Sequence, residues 1–238
     1  MIKKVVYAIF GAIIVLALAM FFAAYPFGKN KMAVGEYYLN HGIEQTGAAN
    51  IVTSVVLDYR GFDTLGEVSV LFGAAAGVAI LFFLAKEGRR EERENLTKPN
   101  FVVKVGSRII FPFILLFGTY IFIHGHLTPG GGFQGGSIIA SGFLLLYLSY
   151  PGTRVKRSGL SVLEGLAGLT FVCLGLYGLL TPESSFLYNF LPKGQLNMLV
   201  SAGILPIIYI AIGFKVASEF AGIVDDMMCQ VICRGGEK

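Results

Sequence analysis

Four ionisable residues precede or enter an apolar stretch of the chain: Asp58, Arg60, Asp63 and Glu67. On a helix, Arg60, Asp63 and Glu67 would share one face, because they are spaced three and four residues apart. Glu67 lies two residues inside the apolar stretch, where an ionisable side chain is costly and indicates function. A carboxylate can exchange a proton or bind Na⁺ when burial favours its neutral form and a nearby guanidinium favours its charged form. The alternative is that Arg60 pairs with these acids at the membrane boundary and only anchors the helix.

A second polar segment, from His124 to Ser137, reads HGHLTPGGGFQGGS. A proline followed by three glycines ends a helix and permits a tight reversal. Non-helical backbone at membrane depth survives only inside protein or against water, so the hairpin is expected to contact a partner or a hydrated cavity. His124 is a candidate proton relay, because imidazole titrates near neutral pH, and the alternative is a capping or hydrogen-bonding histidine. His126 would point to the opposite side of a helix, so no metal site is predicted here.

The other charged residues of the apolar stretches are expected near the membrane boundary. Glu164 is predicted to cap a helix there, and Lys215 and Glu219 form an i,i+4 pair at the end of the last stretch. The sequence contains no nucleophile–base pair, redox-ligand set or phosphate cradle, so we assign no catalytic residues and no bound cofactor. Whether the protein belongs to an enzyme is left open.

The elements that position these residues are membrane helices. The chain has 238 residues, of which 55% are hydrophobic and 14% charged, more apolar than soluble domains of this size. A membrane-spanning helix needs about 20 mostly apolar residues. Six stretches qualify, which predicts an all-α polytopic protein: Val5–Ala24, Leu65–Leu84, Ile109–Gly125, Gly132–Tyr150, Leu160–Leu180 and Leu196–Val216.

The distribution of basic residues predicts the orientation. With both termini in the cytoplasm, all but four of the 19 Lys and Arg residues lie on the cytoplasmic side, the exceptions being Lys29, Lys31, Arg60 and Lys193. This asymmetry is typical of plasma-membrane proteins. It also explains the net charge of +4 without nucleic-acid binding. A charged linker, residues 91–104, is predicted to separate a two-helix module (1–90) from a four-helix module (105–238).

Two long motifs resemble components of Mrp-type multisubunit Na⁺/H⁺ antiporters. The hairpin with its flanking helices, FILLFGTYIFIHGHLTPGGGFQGGSIIASGFLLLYLS, resembles the B component (the MnhB-related family), over roughly Pro99–Gly222. The segment NIVTSVVLDYRGFDTLGE, Asn50–Glu67, resembles the C-terminal end of the large MnhA-type component, over roughly residues 1–90. A detached MnhA-type tail fused to an MnhB-type domain is typical of membrane-bound hydrogenases and sulfane sulfur reductases.

The resemblance implies a non-catalytic subunit of an Mrp-like, Na⁺- and H⁺-translocating module in a redox-driven respiratory complex. Its implied partners are antiporter-like subunits and a cytoplasmic iron–sulfur or nickel–iron arm. It places Asp58, Asp63 and Glu67 along the ion route, with Arg60 and His124 as further candidates. The alternatives are a subunit of a free-standing antiporter and a purely structural scaffold.

The resemblance also assigns the hairpin to subunit contact or cavity lining. The residues concerned are His126, Pro129, Gly130, Gly131, Gly132, Phe133, Gln134, Gly135 and Gly136.

Overall fold

A computed structural model describes residues 2–24, 33–88, 99–150, 155, 157–182 and 185–232. These residues form eight α-helices and no strand. The helices are α1 (Ile2–Ala24), α2 (Ala33–Thr46), α3 (Ile51–Thr53), α4 (Gly61–Gly88), α5 (Phe101–Ile123), α6 (Gly132–Ser149), α7 (Arg157–Leu179) and α8 (Leu205–Ile232), with a π-helix over Ser54–Tyr59 between α3 and α4.

Five helices are long and apolar enough to cross a membrane: α4, α5, α6, α7 and α8. A shorter apolar segment, Ile9–Ala24, lies in α1. The prediction of an all-α, multi-pass membrane protein is confirmed. The cytoplasmic placement of both termini stays a prediction, and so do the boundaries at 1–90, 91–104 and 105–238. Most of the charged linker lies outside the described residues.

The chain divides into two compact units, Met1–Glu36 and Tyr37–Lys238. The first contains α1, whose described side chains are exposed within the unit. The second contains the five long helices, and every site discussed below lies in it.

The last helix differs from its predicted bounds. It begins at Leu205, not Leu196, and it continues to Ile232. Residues 191–204 are irregular instead, and the side chain of Asn189 accepts a hydrogen bond from the backbone N–H of Ile204 (2.9 Å) just before the helix. An apolar run alone therefore predicted a helix where the backbone turns repeatedly, with positive φ at Asn197, Ala202 and Gly203.

Within the second unit, α8 is the central helix and packs against α4, α5, α6 and α7. Glycines permit the closest approaches: a Cβ atom added at Gly136 of α6 would lie 2.7 Å from the carbonyl oxygen of Gly213 in α8. One added at Gly135 would lie 2.5 Å from the carbonyl oxygen of Gly118 in α5. Small residues are what allow membrane helices to pack this closely.

Candidate functional site

The first group of candidate residues lies where the chain enters α4. The π-helix ends at Tyr59, and the hydroxyl of Thr64 donates to the carbonyl oxygen of Val56 (2.6 Å), which joins the π-helix to the first turn of α4. Asp58 lies on the π-helix and is half-buried. Burial raises the pKa of Asp58 to about 6, against a smaller opposing effect of the Lys193 ammonium.

The acidic and basic neighbours of Asp58 are more exposed. Arg60 and Asp63 form an ion pair, with 2.6 Å between Nη2 and Oδ2, and their side chains are 58% and 49% exposed. Such a surface pair contributes little stability. Glu67 follows on α4 and its side chain is exposed. Among the described residues Glu67 forms no ion pair. Of the three residues predicted to share a face, Arg60 and Asp63 are therefore in contact and Glu67 is not paired with either.

The glycine hairpin connects α5 to α6. His124 terminates α5, and its ring stacks on Tyr120 with 4.2 Å between ring centroids. His124 therefore lies at the C-terminal cap position of α5, and its role as a proton relay stays a prediction. Gly131 precedes α6 with a φ of +154°, a conformation that side chains with a Cβ rarely adopt.

His126 is fully buried in the hairpin. Neither of its ring nitrogens has a hydrogen-bond partner of normal geometry among the described residues. Burial lowers the pKa of His126, so the ring is neutral at physiological pH. The contact of the hairpin with another subunit stays a prediction.

The hairpin is held by residues that sequence reasoning did not select. The Asn50 side chain donates from Nδ2 to the carbonyl oxygens of Gly125 and Thr128, at 2.8 and 3.0 Å. The hydroxyl of Thr53 donates to the same Gly125 oxygen (2.7 Å) and lies 2.8 Å from the hydroxyl of Tyr209 in α8. The signal for Asn50 was its residue type, because Asn is a preferred helix N-cap.

A second group of charged residues lies inside the bundle, which corrects their predicted position at the membrane boundary. Lys215 and Glu219 are buried in the middle of α8, with 3.1 Å between Nζ and Oε2. Glu164 of α7 lies 3.7 Å from the same ammonium, through Oε1. The prediction was wrong because the apolar stretch stops at Val216, whereas α8 continues for another 16 residues with Ala217 and Ala221 buried against its neighbours.

The described residues contain no group of three or more His, Cys, Asp or Glu side chains arranged to hold a metal ion. What the geometry offers is proton or cation exchange at carboxylates: Asp58 at one end of the bundle, Glu67 on its surface, and Glu164 and Glu219 inside it.

Two known families match adjacent parts of the chain, and each part contains one of the two groups of charged residues. Residues 102–222 match a domain related to the MnhB subunit of Na⁺/H⁺ antiporters. Residues 2–100 match MbhE, the E component of MBH. The hairpin and the buried Lys215–Glu219 pair fall in the first match, whereas Asp58 and Glu67 fall in the second.

Two solved structures are similar to this chain. One is a chain of the membrane-bound sulfane sulfur reductase, an archaeal respiratory membrane complex, with 47% identity and a TM-score of 0.81 over 96% of this chain and 99% of that chain. The other is a chain of the Mrp complex from Dietzia sp., with 26% identity and a TM-score of 0.73 over 94% of this chain but only 26% of that longer chain.

A curated relative from Rhizobium meliloti, a probable component (A/B) of a K⁺/H⁺ antiporter, is 32% identical over 142 residues. The match covers 51% of this chain and 14% of that relative, so the chain spans a small part of the longer protein. The match to the MnhB-related domain, over residues 102–222, covers half of the chain and does not depend on this relative. The chain belongs to the family of domains related to the MnhB subunit of Na⁺/H⁺ antiporters.

Proposed function

We propose that the protein is a non-catalytic membrane subunit of an Na⁺- and H⁺-translocating module in a redox-driven respiratory complex, of the membrane-bound hydrogenase or sulfane sulfur reductase type. Its partners would be other antiporter-like subunits and a cytoplasmic iron–sulfur or nickel–iron arm. End-to-end similarity to a chain of the archaeal sulfane sulfur reductase complex supports this type over others.

The observation that carries the proposal is the position of Glu67. Its carboxylate is exposed on α4, a membrane-spanning helix, and the apolar side chain of Val70, one turn further along the same side, is exposed as well. An ionised carboxylate facing lipid is costly, and such residues usually face protein or a water-filled cavity. Another subunit is therefore expected to cover this face and to complete an ion route at Glu67.

The other candidates lie at the same end of the bundle. Asp58 and Arg60 precede α4 and Asp63 lies in its first turn, and Asn50 joins this segment to the hairpin that contains His124. We assign Asp58 and Asp63 to the mouth of the ion route, with Arg60 as the counter-ion of Asp63. The exposed hairpin residues Pro129, Phe133 and Gln134 are candidates for the subunit contact, and the buried glycines beside them position it.

The partner prediction is tested by purifying the tagged native protein in mild detergent and identifying co-purifying proteins by mass spectrometry. Antiporter-like subunits together with iron–sulfur or nickel–iron subunits would support a redox-driven pump. Recovery of the protein alone would contradict the proposal.

The role of Glu67 is tested by Glu67→Gln and Glu67→Ala, with Ser69→Ala as the matched control. Ser69 is also exposed on α4, and its hydroxyl donates only to the carbonyl oxygen of Leu65, within its own helix. Both Glu67 variants should lower Na⁺-dependent proton flux in sealed vesicles while assembly persists. Normal flux in the Gln variant would favour a purely structural scaffold.

A free-standing Na⁺/H⁺ antiporter is the second candidate. It is favoured by the similarity to the Mrp complex and to a probable K⁺/H⁺ antiporter component. Co-purification of antiporter subunits without any redox subunit would support it in place of the redox-driven complex.

A further inference from the structure

A crevice between α4, α7 and α8 leads to the buried charged residues. At its exposed end, Arg157 of α7 forms a two-pronged ion pair with Asp226 of α8, with 3.0 Å between Nη2 and Oδ2 in the longer prong. At its inner end lie Glu164 and Glu219. The cavity has a volume of about 170 Å³, which is room for several water molecules.

Three helices form the walls of the crevice: α7 and α8 contribute polar side chains that can bind water, and α4 contributes mostly small side chains. The α7 and α8 walls carry polar groups, including the hydroxyls of Ser161 and Ser218, together with the apolar side chains of Leu160 and Ile223. The α4 wall consists of Ala75, Ala76 and Ala79, with Phe72 at the inner end. Because these α4 side chains are short, they keep the crevice open, and a larger residue there would fill it.

The inner end contains an unpaired acceptor. Lys215 contacts Glu219 through Oε2, whereas Oε1 of Glu219 is buried and has no hydrogen-bond partner among the described residues. The Glu219 side chain is only 1% exposed. A buried polar atom without a partner is costly and calls for an explanation such as an exchangeable proton or water.

We propose that this crevice is an aqueous proton half-channel, and that Glu219, held by Lys215 and Glu164, is the proton-exchanging group at its inner end. This proposal deepens the proposed function and rests on it for the existence of ion flux. It adds a second site, separate from Glu67, inside this chain rather than at its contact with a partner.

The charges of the three side chains favour a proton over a sodium ion. The Lys215 ammonium already lies between the two carboxylates, at 3.1 and 3.7 Å, so a metal cation would have to displace it. A proton needs only the free Oε1 of Glu219. With all three groups ionised, the net charge is one negative, and a proton added to Oε1 brings it to zero. Lys215 then keeps Glu164 as its counter-ion, and release of the same proton to crevice water restores the first state.

Water access is tested by thiol labelling in a background whose three native cysteines are replaced by alanine. Ala76→Cys places a thiol in the crevice, and Gly73→Cys places one at an exposed position of the same helix where an added Cβ atom would contact nothing within 4 Å. In the assembled complex in native membranes, a membrane-impermeant cationic thiol reagent should label Ala76→Cys from the Arg157 side only, and should leave Gly73→Cys unlabelled. Equal labelling of both positions, or none at Ala76→Cys, would overturn the half-channel.

Proton exchange is tested by Glu219→Gln and by Ala79→Phe, which fills the crevice without changing a charge. Both should lower the initial rate of driven proton movement in vesicles at least about tenfold, because Glu219→Gln removes the carboxylate that exchanges the proton and Ala79→Phe blocks the water path to it. Ser69→Ala should stay within about twofold of the parent. The complex must still co-purify with its subunits in each case.

The two proposals fail differently. No driven ion flux in the parent complex would refute the proposed function, and the labelling result would still decide whether the crevice is aqueous. Normal proton movement in Glu219→Gln would refute the proton site. Loss of Na⁺ movement with normal proton movement would identify a sodium site instead and would also refute it.

Discussion

At the scale of single residues, Asp58 is the carboxylate whose surroundings change its chemistry most clearly outside the membrane-spanning helices. Burial raises its pKa to about 6, and the Lys193 ammonium reverses only part of that effect. The folded protein therefore prefers Asp58 protonated, so the ionised form lowers stability at neutral pH. A carboxylate with a pKa near 6 also changes its charge close to physiological pH.

Asp58→Asn should stabilise the protein at pH 7.5 and have little effect at pH 4. The unfolded chain ionises Asp58 near pH 3.8 and the folded chain near pH 6, so the penalty develops as the pH rises between these values and then stays constant. The expected gain at pH 7.5 is about 1–3 kcal/mol. It is measured as the thermal unfolding midpoint of the detergent-purified complex at both pH values.

The exposed Asp63 supplies the control for this prediction. Asp63→Asn removes a surface ion pair with Arg60, so it should change the midpoint little at either pH. A lower midpoint for Asp58→Asn than for the parent at pH 7.5 would contradict the assignment of Asp58 as a destabilising, half-buried acid.

Residue patterns drew attention to both groups of charged residues but selected only one of them as a candidate site. Asp58, Arg60, Asp63 and Glu67 were visible because they interrupt an apolar run at its beginning. The pair of Lys215 and Glu219 was also visible, but its position was predicted wrongly. A charged pair at the apparent end of an apolar run looks like a membrane boundary, and only the packing of α4 and α7 against α8 shows that it is buried.

At the scale of elements, the loop before α3 and the glycine hairpin stabilise each other. Asn50 caps α3 with its side-chain oxygen and donates two hydrogen bonds to the hairpin with its amide group. The segment that contains Asp58 is therefore fixed to the end of α5 by a residue that lies far from the hairpin in sequence. Sequence spacing gave no sign of this contact, because it joins residues about 75 positions apart.

Asn50→Asp should destabilise the protein strongly. The substitution replaces two amide donors with a carboxylate oxygen that faces the carbonyl oxygens of Gly125 and Thr128, and leaves those acceptors unpaired. The expected cost is about 2–4 kcal/mol, measured by thermal unfolding of the purified complex. Asn100→Asp is the matched control, because Asn100 precedes α5 without a side-chain capping bond. Equal effects of the two changes would contradict the role of Asn50.

Gly131→Ala should weaken the hairpin, because a Cβ atom there is disfavoured by the φ of +154° and would lie 2.6 Å from the side-chain oxygen of Gln134. A cost of about 1–3 kcal/mol is expected, visible as reduced yield and a lower unfolding midpoint. Gly66→Ala is the control, since a Cβ atom on this helical glycine would contact nothing within 4 Å. An unchanged midpoint for Gly131→Ala would show that the hairpin backbone is not strained by a side chain.

At the scale of the whole molecule, hydropathy predicted the membrane class and approximate helix positions, because both depend on local composition. It could not predict the irregular segment 191–204, which is apolar but contains four residues with positive φ. Nor could it predict that α8 is central, since α4 and α5 are equally apolar and leave most of their surface exposed. Position within a bundle depends on which faces carry glycine and alanine, and several helices have such faces.

The orientation of the bundle can be tested directly. If both termini are cytoplasmic, a green fluorescent protein fused after Lys238 should fluoresce in bacterial cells. Alkaline phosphatase fused to a chain truncated after Lys193 should be active, because this enzyme folds only outside the cytoplasm. A second phosphatase fusion, in the 89–98 segment, should be inactive. The reverse pattern of activities would show that the orientation is opposite to the predicted one, and that the crevice opens on the other side of the membrane.

The close backbone approach of α6 to α8 has a mechanical consequence. Helix α6 approaches the backbone of α8 closely at Gly136 and that of α5 at Gly118, so little side-chain volume separates these helices there. We expect α5, α6 and α8 to move together. Helices α4 and α7 instead border an open cavity on one side of α8, so we expect these two helices to shift more easily. If ion movement is coupled to a conformational change in a partner subunit, we expect α4 and α7 to move relative to α8.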